Sequence, residues 1–409
     1  MQAISKGLPL VVCIIVVTLS IVYADINRRH LRVVLYPFIP EYQTVKDEVR
    51  KGFEASHPDV ELEFIDLDQN YYAPGMQPQD EYIGATNANI YELDSVFLRD
   101  FVDQRKIQPW PNDVLIPEKE LLKTAAIGSE INGTRYGVAH WVCGNFLFFN
   151  AQAPNFPQVS KLSDLESAIG PHHMIGQGLA ADFKGKSTLG EFYLETAFDH
   201  YGGWQAANPH LQALDPILVA DLERLVRLCD SGYCRSDQYH KHDPAFYARL
   251  FAQRKAQAFL GYPEGLHSVL AESAKCDAKS ACLKDSQIDV VGFPSDDNGR
   301  HQISWVDSFV LDAGCQGTCA HDAAAFVEYM SSDSTYRTIL LHTGAAPAYL
   351  LPAKAALYND AEIVGQAHLY PKLKSLIESA QAPSDIGLNN ELRTLGAELD
   401  SQLPDNSPR

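Results

Sequence analysis

The sequence predicts an α/β protein of two lobes. Apolar strand-like segments alternate with amphipathic helical segments along the chain, which is the pattern of a parallel sheet covered by helices on both faces. About 385 residues follow the N-terminal segment described below, enough for two domains of ordinary size. We expect one lobe to contain residues 31–148 and 303–345, the other 149–300 and 350–400, and the functional site to lie in the cleft between them.

The first elements set this pattern. Residues 31–36 predict a strand, 45–53 an amphipathic helix and 60–65 a second strand. Pro37 and Pro40 end the first strand, and the loop after the carboxyl end of such a strand is where a ligand is expected to bind.

Later elements carry clear helix signals. Asp215-Pro216 and Asp243-Pro244 each offer an N-cap followed by proline, and Gly202-Gly203 ends a helix begun near Thr188. Residues 71–89 are too polar for the sheet and predict a surface loop near the cleft. Further strands are predicted at 146–149, 256–260, 288–293 and 305–311.

The N-terminal 24 residues have the pattern of a signal peptide. Lys6 precedes an apolar stretch from Leu8 to Val22, and Ala24 supplies the small residue needed before cleavage. An uncleaved anchor helix is the alternative, but the stretch is near the lower length limit for spanning a membrane. We predict a secreted chain with no membrane contact after cleavage.

The charge of the chain limits its partners. Without the signal segment, 52 acidic residues face 32 basic ones, a formal charge of about −20. Nucleic acid is therefore excluded as a partner, and a neutral or cationic small molecule is favoured.

Six of the seven cysteines beyond the signal segment fall into close pairs: Cys229 with Cys234, Cys276 with Cys282, and Cys315 with Cys319. In an oxidising compartment neighbouring thiols close small loops, so we predict these three disulfides. Zinc binding is the competing interpretation, but the spacings are irregular for a zinc site. We predict no metal and no cofactor.

Cys143 is left without a partner. It could form an intermolecular link, be a buried inert thiol, or be a reactive one. It ends an apolar segment that Gly144 interrupts, a break that could expose the thiol to a cleft. His140, three residues earlier, should point to the opposite face of a strand, which argues against a Cys-His pair.

Glu264 is the better candidate for a base. It stands where an apolar strand runs into the turn Gly-Tyr-Pro-Glu-Gly, and such turns line ligand clefts. The alternative, which the sequence alone slightly favours, is a helix N-terminal glutamate placed favourably at the helix dipole.

Asp94 and Asp307 are carboxylates among apolar residues, and each could bind an amino-substituted ring. Asp94 is also a good N-cap for a helix running through Asp103. An edge-strand charge is the alternative for Asp307. Aromatic residues near the expected cleft suit a flat or cationic ligand, although most are ordinary packing residues: Tyr36, Tyr71, Tyr72, Trp141, Tyr247, Tyr262 and Trp305.

Taken together, these segments resemble thiaminase I, a thiamine-degrading transferase with a type II periplasmic-binding-protein-like fold. The resemblance covers about residues 31–395. It is carried by five ordered segments: Val-Leu-Tyr-Pro-Phe-Ile-Pro at 34–40, Leu-Asp-Ser-Val-Phe-Leu from 93, Asn-Gly-Thr-Arg-Tyr-Gly before Cys143, Gly-Tyr-Pro-Glu at 261–264, and Tyr-Leu-Leu-Pro-Ala at 349–353.

The resemblance implies roles for individual residues. Cys143 would add to C6 of the thiamine pyrimidine, Glu264 would take the thiol proton, and Asp94 with Asp307 would hold the aminopyrimidine. Cleft aromatics would bind substrate: Tyr36, Tyr72, Tyr247, Tyr262 and Trp305. Tyr71 competes with Tyr72 for its position, and Phe246 competes with Tyr247.

The chain departs from that family at two points. Trp305 stands where the family has tyrosine, which keeps the aromatic face but loses a hydroxyl, so the cleft would favour a different co-substrate. The three cysteine pairs depart from the bacterial pattern and, with the glycosylation sequon Asn132-Gly133-Thr134, point to a eukaryotic secretory source. Gly133 indicates an exposed turn, but the sequon can equally be unused.

The function predicted is transfer of the pyrimidinylmethyl group of thiamine to a small nucleophilic co-substrate by a monomeric secreted enzyme. A secreted solute-binding protein that captures thiamine or a similar cation intact is the rival, because the same fold serves both purposes. Such a protein has no use for a lone thiol opposite a carboxylate. A cysteine amide hydrolase would need a well-placed histidine, which the segment lacks.

Overall fold

The structure is a computed structural model. It describes residues 28–66, 87–170, 176–230, 233–236, 243, 245–276, 282–298, 302–341, 344, 346–383 and 388–404. The predicted signal peptide, and Tyr71 and Tyr72 of the polar loop, lie outside these residues.

The described strands are β1 (Arg29–Val34), β2 (Val60–Phe64), β3 (Ile90–Asp94), β4 (Ile107–Gln108), β5 (Glu130–Ile131), β6 (Thr134–Arg135), β7 (Gly137–Cys143), β8 (Phe146–Asn150), β9 (Leu179–Ala180), β10 (Ala258–Gly261), β11 (Ile288–Gly292), β12 (Trp305–Asp312) and β13 (Leu351–Pro352). The described α-helices are α1 (Tyr42–Ser56), α2 (Ser95–Asp103), α3 (Lys123–Gly128), α4 (Leu162–Ile169), α5 (Lys186–Tyr201), α6 (Trp204–Ala207), α7 (Pro216–Arg227), α8 (Phe246–Ala252), α9 (Gly265–Lys275), α10 (Thr318–Met330), α11 (Asp333–Leu341), α12 (Ala361–Gln366), α13 (Tyr370–Ile377) and α14 (Asn389–Gln402).

The first sheet has the strand order β13-β7-β12-β3-β1-β2, and β4 pairs with β12. β1 is parallel to β2 and β3, as the strand–helix–strand pattern predicts, whereas β12 is antiparallel to both β3 and β7. Helix α1 buries Val45, Val49 and Phe53, the residues whose helical spacing is visible in the sequence. The chain leaves the first sheet after β7 and re-enters it at β12, where the start of β12 lies beside the carboxyl end of β3.

The second sheet has the order β11-β8-β10-β9, with β8 antiparallel to both of its neighbours. Phe148 of β8 stacks on Phe259 of β10 within its core. Helices α5 and α14 pack closely in this half of the molecule. A Cβ on Gly190 of α5 would lie 2.1 Å from the carbonyl oxygen of Leu392 in α14, so only glycine permits this approach.

Most predicted elements are confirmed, with small differences at their ends. Asp215 caps α7 by accepting from the Ile217 N–H, and Gly202 ends α5 in the left-handed conformation. The prediction for Asp243 is wrong, because α8 begins after Ala245 and the Asp243 carboxylate instead pairs with Arg249. The ion pair with Arg249 is formed in place of the predicted helix cap.

The two sheets support two lobes, while the exact division of the chain between them stays a proposal. All of β8 lies in the second sheet, although its first three residues fall within the predicted first lobe. β13 pairs with β7 in the first sheet, although the predicted boundary assigns it to the second lobe. The chain therefore passes from one sheet to the other a few residues away from the predicted lobe boundaries.

The three cysteine pairs lie at disulfide distance, with Cα separations of 5.9 Å for Cys229–Cys234, 6.4 Å for Cys276–Cys282 and 5.2 Å for Cys315–Cys319. Asn132 and Gly133 both have positive φ in the two-residue turn between β5 and β6, consistent with the predicted turn at the sequon. None of the helices in the described part of the chain is long and apolar enough to cross a membrane.

Candidate active site

Cys143 is the last residue of β7, the place where the chain leaves the first sheet for the second. It is the one free cysteine among the described residues, and it is 9% exposed. Gly144 follows because the chain there passes close to other backbone: a Cβ on it would lie 2.7 Å from the carbonyl oxygen of Ile303. The sequence break after the cysteine is therefore a close approach that positions the thiol between the sheets.

Asp307 lies beside this thiol on the neighbouring strand. In β12 it is opposite Trp141 of β7, with a register shift directly after it, and opposite Asp94 of β3 on the other side. Cys143 Sγ lies 3.9 Å from Asp307 Oδ2, and Oδ1 has no hydrogen-bond partner among the described residues. Burial, and then the nearby Asp94, raise the pKa of Asp307 well above its ordinary value.

Asp94 caps a helix, as one of its two interpretations predicts, and its role in binding a ring stays a prediction. Its carboxylate accepts from the Val96 N–H at 2.9 Å and so caps α2, which runs to Asp103 as predicted. The same side chain lines a pocket between the sheets. Burial raises its pKa to about 6 despite these hydrogen bonds.

Glu264 precedes α9 but does not cap it with its side chain. Its carboxylate instead accepts a hydrogen bond from the Tyr36 hydroxyl at 3.3 Å. Tyr36 follows β1 of the first sheet, whereas Glu264 follows β10 of the second, so this bond crosses the cleft. Burial raises the pKa of Glu264 to about 7, a value suited to accepting and returning a proton near neutrality.

The surroundings of Cys143 favour the protonated thiol. Burial raises the pKa of Cys143 well above its ordinary value, and the carboxyls of Asp307, Asp94, Glu264 and Glu191, in decreasing order, add to the effect. A thiolate would therefore form only when a proton acceptor is ionised and a cation offsets the negative field.

His140 takes no part in this cluster, as its spacing predicts. Its Nδ1 contacts Glu92 Oε1 at 2.5 Å, and both side chains are fully buried. Glu92 Oε2 also accepts from the Tyr36 N–H at 2.7 Å. This buried pair fixes the start of the loop that carries Tyr36 toward Glu264.

The predicted aromatics occupy different places. Trp305 lines the pocket with Asp94, while Trp141 is buried in the core. Tyr262 donates to the carboxylate of Glu191. Tyr247 is 2% exposed and its hydroxyl accepts from the Ser236 N–H; its role, like the choice between it and the partly buried Phe246, stays a prediction.

Glu191 is the site residue that sequence reasoning missed. It lies on α5 with Glu195 and Asp199 at intervals of four residues, on a helix that otherwise buries Phe192, Leu194 and Phe198. Burial raises the pKa of Glu191 well above its ordinary value, and the Asp94 carboxyl adds to this. Acidic residues at helical spacing in an apolar helix are a signal that could have found it.

Fold and site together define the class of protein: a two-lobed α/β chain of the periplasmic-binding-protein-like type, with a free cysteine and a group of carboxyls in its cleft. No family model matches the chain. It is 26% identical over 387 residues to Thiaminase-1 of Paenibacillus thiaminolyticus, covering 92% of this chain and 86% of that protein. The chain is thus similar to thiaminase I over most of both chains.

Solved structures agree on the fold. Clostridium botulinum thiaminase I in complex with thiamin has a TM-score of 0.76 at 18% identity, covering 91% of this chain and 99% of the other. The maltose-maltodextrin binding protein of Alicyclobacillus acidocaldarius has a TM-score of 0.61 at 14% identity, covering 92% and 97%. At these identities the likeness shows the fold alone, which enzymes and binding proteins share.

Proposed function

We propose that this chain is a secreted thiaminase I. It cleaves thiamine at the methylene bridge by displacing the thiazole with an amine, pyridine or thiol, through a covalent adduct between Cys143 and the pyrimidine. The observation that carries this proposal is the free cysteine 3.9 Å from Asp307 within a group of cleft carboxyls. The similarity to Thiaminase-1 over most of both chains supports it.

The charge of the site selects the substrate. Thiamine carries a positive thiazolium ring and a pyrimidine that can be protonated. The carboxyls of Asp94, Asp307 and Glu264 would stabilise both charges in a buried site. Asp94 and Asp307 face each other across paired strands and would hold the aminopyrimidine, while Tyr36, Tyr262 and Trp305 would line the cleft.

The reaction requires a base that accepts the thiol proton and a pyrimidine ring that is kept protonated. Glu264 accepts the Cys143 proton, and the thiolate adds to C6 of a pyrimidine kept protonated by the aspartates. Electrons of the ring then break the bond between the methylene carbon and the thiazolium nitrogen, and the thiazole leaves as a neutral molecule. The incoming nucleophile bonds to the methylene carbon, and the thiolate leaves C6 with the electrons of the carbon–sulfur bond.

A protein that only captures thiamine is the second candidate, because sugar-binding proteins share this fold. Binding requires the carboxyls and the aromatic walls, but not a thiol among carboxyls with a base whose pKa is about 7. The free cysteine therefore favours the enzyme.

Secretion and a monomeric state belong to the same proposal. The three cysteine pairs at disulfide distance support an oxidising compartment, in keeping with the predicted signal peptide. Closure of the two lobes over thiamine would exclude water and favour transfer over hydrolysis.

The proposal is tested by mass spectrometry of reaction mixtures containing thiamine and aniline, with the wild type and with Cys143→Ser. We expect free thiazole and the pyrimidinylmethyl-aniline product from the wild type only. Intact thiamine bound by both proteins would show a binding protein instead, and equal turnover by both would exclude Cys143 as nucleophile.

A further inference from the structure

The pocket beside Asp94 has a second wall that the proposed reaction has not used. Helices α5 and α14 form it with Ser187, Glu191, Asn389 and Leu392, while Asp94, Val96 and Trp305 form the wall on the side of the first sheet. The aminopyrimidine that Asp94 and Asp307 would hold lies on the first-sheet side. The space against Glu191 is therefore adjacent to Asp94, one of the two groups that would hold the reacting ring.

Two buried polar atoms of the pocket residues have no hydrogen-bond partner among the described residues. They are Nδ2 of Asn389, which is 4% exposed, and Nε1 of Trp305, which is 2% exposed. A buried donor that is left unpaired destabilises the protein. Both donors would be satisfied by a small polar molecule that enters the pocket.

Glu191 gives this pocket an acceptor. The charged groups that act on it most strongly in the described part of the chain are the carboxyls of Asp94, Asp182 and Glu264. Tyr262 donates to one of its oxygens, which orients the carboxyl. A ligand that brings N–H donors or positive charge is therefore favoured over an anion.

We propose that this pocket is the subsite for a small amine co-substrate and that Glu191 accepts the proton which the amine loses as it attacks. The inference rests on the proposed thiaminase function and names the acceptor class and the residue that selects it. Trp305 lines the same pocket, and its buried indole N–H has no hydrogen-bond partner among the described residues.

The amine nitrogen lone pair forms a bond to the methylene carbon of the Cys143 adduct, and electrons return through the ring to expel the thiolate from C6. The nitrogen then carries one proton too many, which passes to the Glu191 carboxylate and from there to solvent. A thiol co-substrate that is already ionised has no proton to lose and needs no such acceptor.

This difference defines the test. The wild type and Glu191→Gln are first allowed to form the Cys143 adduct with thiamine alone, and release of thiazole is measured in a single turnover. The adduct is then chased with aniline or with thiophenol, which ionises below the assay pH. Glu195→Gln is the matched control, because Glu195 is a buried carboxyl one turn further along α5 and the pKa of its carboxyl is also raised.

We expect Glu191→Gln to slow the chase with aniline at least tenfold more than the chase with thiophenol, consistent with the loss of a general base. The control should change this ratio by less than about twofold. Equal slowing with both acceptors, slowing confined to thiazole release, or no change in the ratio would overturn the inference. If the wild type releases no thiazole, the proposed function itself has failed.

Discussion

At the scale of single residues, the cleft is defined by carboxyls whose pKa values are raised. Burial raises the pKa of Asp94 to about 6 and that of Glu264 to about 7, so both titrate where enzymes commonly work. Cys143 is held as a neutral thiol by the same group of residues. Catalysis by this site is thus expected to depend on ionisation of Glu264.

Glu264→Gln should lower kcat by at least about 100-fold while changing the KM for thiamine only a few-fold, because a general base is typically worth 10²–10⁴ in rate. In the wild type, kcat/KM should rise with pH through about 7 as the carboxyl ionises. Steady-state kinetics across pH checks both. A loss of affinity alone would remove Glu264 as the base.

Cys143 should be the thiol that iodoacetamide alkylates in the native protein. Because its pKa is raised, the rate should be low near neutrality and should increase with pH beyond the range of an ordinary thiol. Thiamine should protect it. Peptide mapping checks the site, and labelling at Cys229 or Cys315 would contradict the disulfides.

At the scale of elements, the order of strands and helices could be predicted because periodicity records which side chains are buried. Glycine signals predicted the C-terminal end of α5 correctly, and the Asp-Pro signal predicted the start of α7. The helix cap predicted at Asp243 was wrong because the Asp243 carboxylate forms an ion pair with Arg249 instead. The group formed by Cys143, Asp307 and Asp94 depends on pairing between β7, β12 and β3, which local sequence does not specify.

Asp94 caps helix α2 and also lines the candidate site, and two substitutions separate these roles. Asp94→Asn keeps a good N-cap for α2, whereas Asp94→Ala removes it and should lower the free energy of unfolding by about 1 kcal/mol more. Both should weaken thiamine binding, because both remove the charge. Urea denaturation and calorimetric binding check the two effects, and equal stability of the two variants would show that the cap contributes little.

The contact between α5 and α14 positions the helix that carries Glu191. Gly190→Ala would place a methyl group against the Leu392 carbonyl, so we expect a loss of about 2 kcal/mol or more in the free energy of unfolding. Gly365→Ala in α12 is the matched control: a Cβ there has no atom within 4 Å, and alanine favours a helix. Comparable losses in both variants would contradict the close approach.

At the scale of the whole molecule, the cleft carboxyls should make stability fall as pH rises. Asp94 and Glu264 ionise at about 6 and 7 in the folded chain, but their ordinary values are 3.8 and 4.5. Between these limits the folded state binds more protons than the unfolded state, so the free energy of unfolding should decrease from about pH 4 to about pH 7. Thermal melts across this range check the trend, and Glu264→Gln should flatten it.

Thiamine should reverse this loss because a cation between the lobes offsets the carboxylate charges. The Tm increase caused by thiamine should therefore be larger at pH 7 than at pH 5, with Cys143→Ser used to prevent turnover. An increase that does not vary with pH would show that these carboxyls do not bind the cation.

The fold class could be predicted from the sequence, and so could a free cysteine near three carboxyls, because a lone cysteine and charged residues within apolar strands stand out locally. Glu191 was not predicted, although its four-residue spacing to Glu195 and Asp199 is visible in the sequence, because the apolar residues of its helix indicate a core element. Its place in the site follows from the packing of α5 on α14, which brings a residue distant in sequence opposite Asp94.

The most direct measurement is the intact mass of the wild-type protein after incubation with thiamine in the absence of an acceptor, followed by peptide mapping. We expect an increase equal to one pyrimidinylmethyl group on the peptide that contains Cys143, with an equal amount of free thiazole in solution. Thiazole release without modified protein, or a modification at another residue, would contradict covalent catalysis by Cys143.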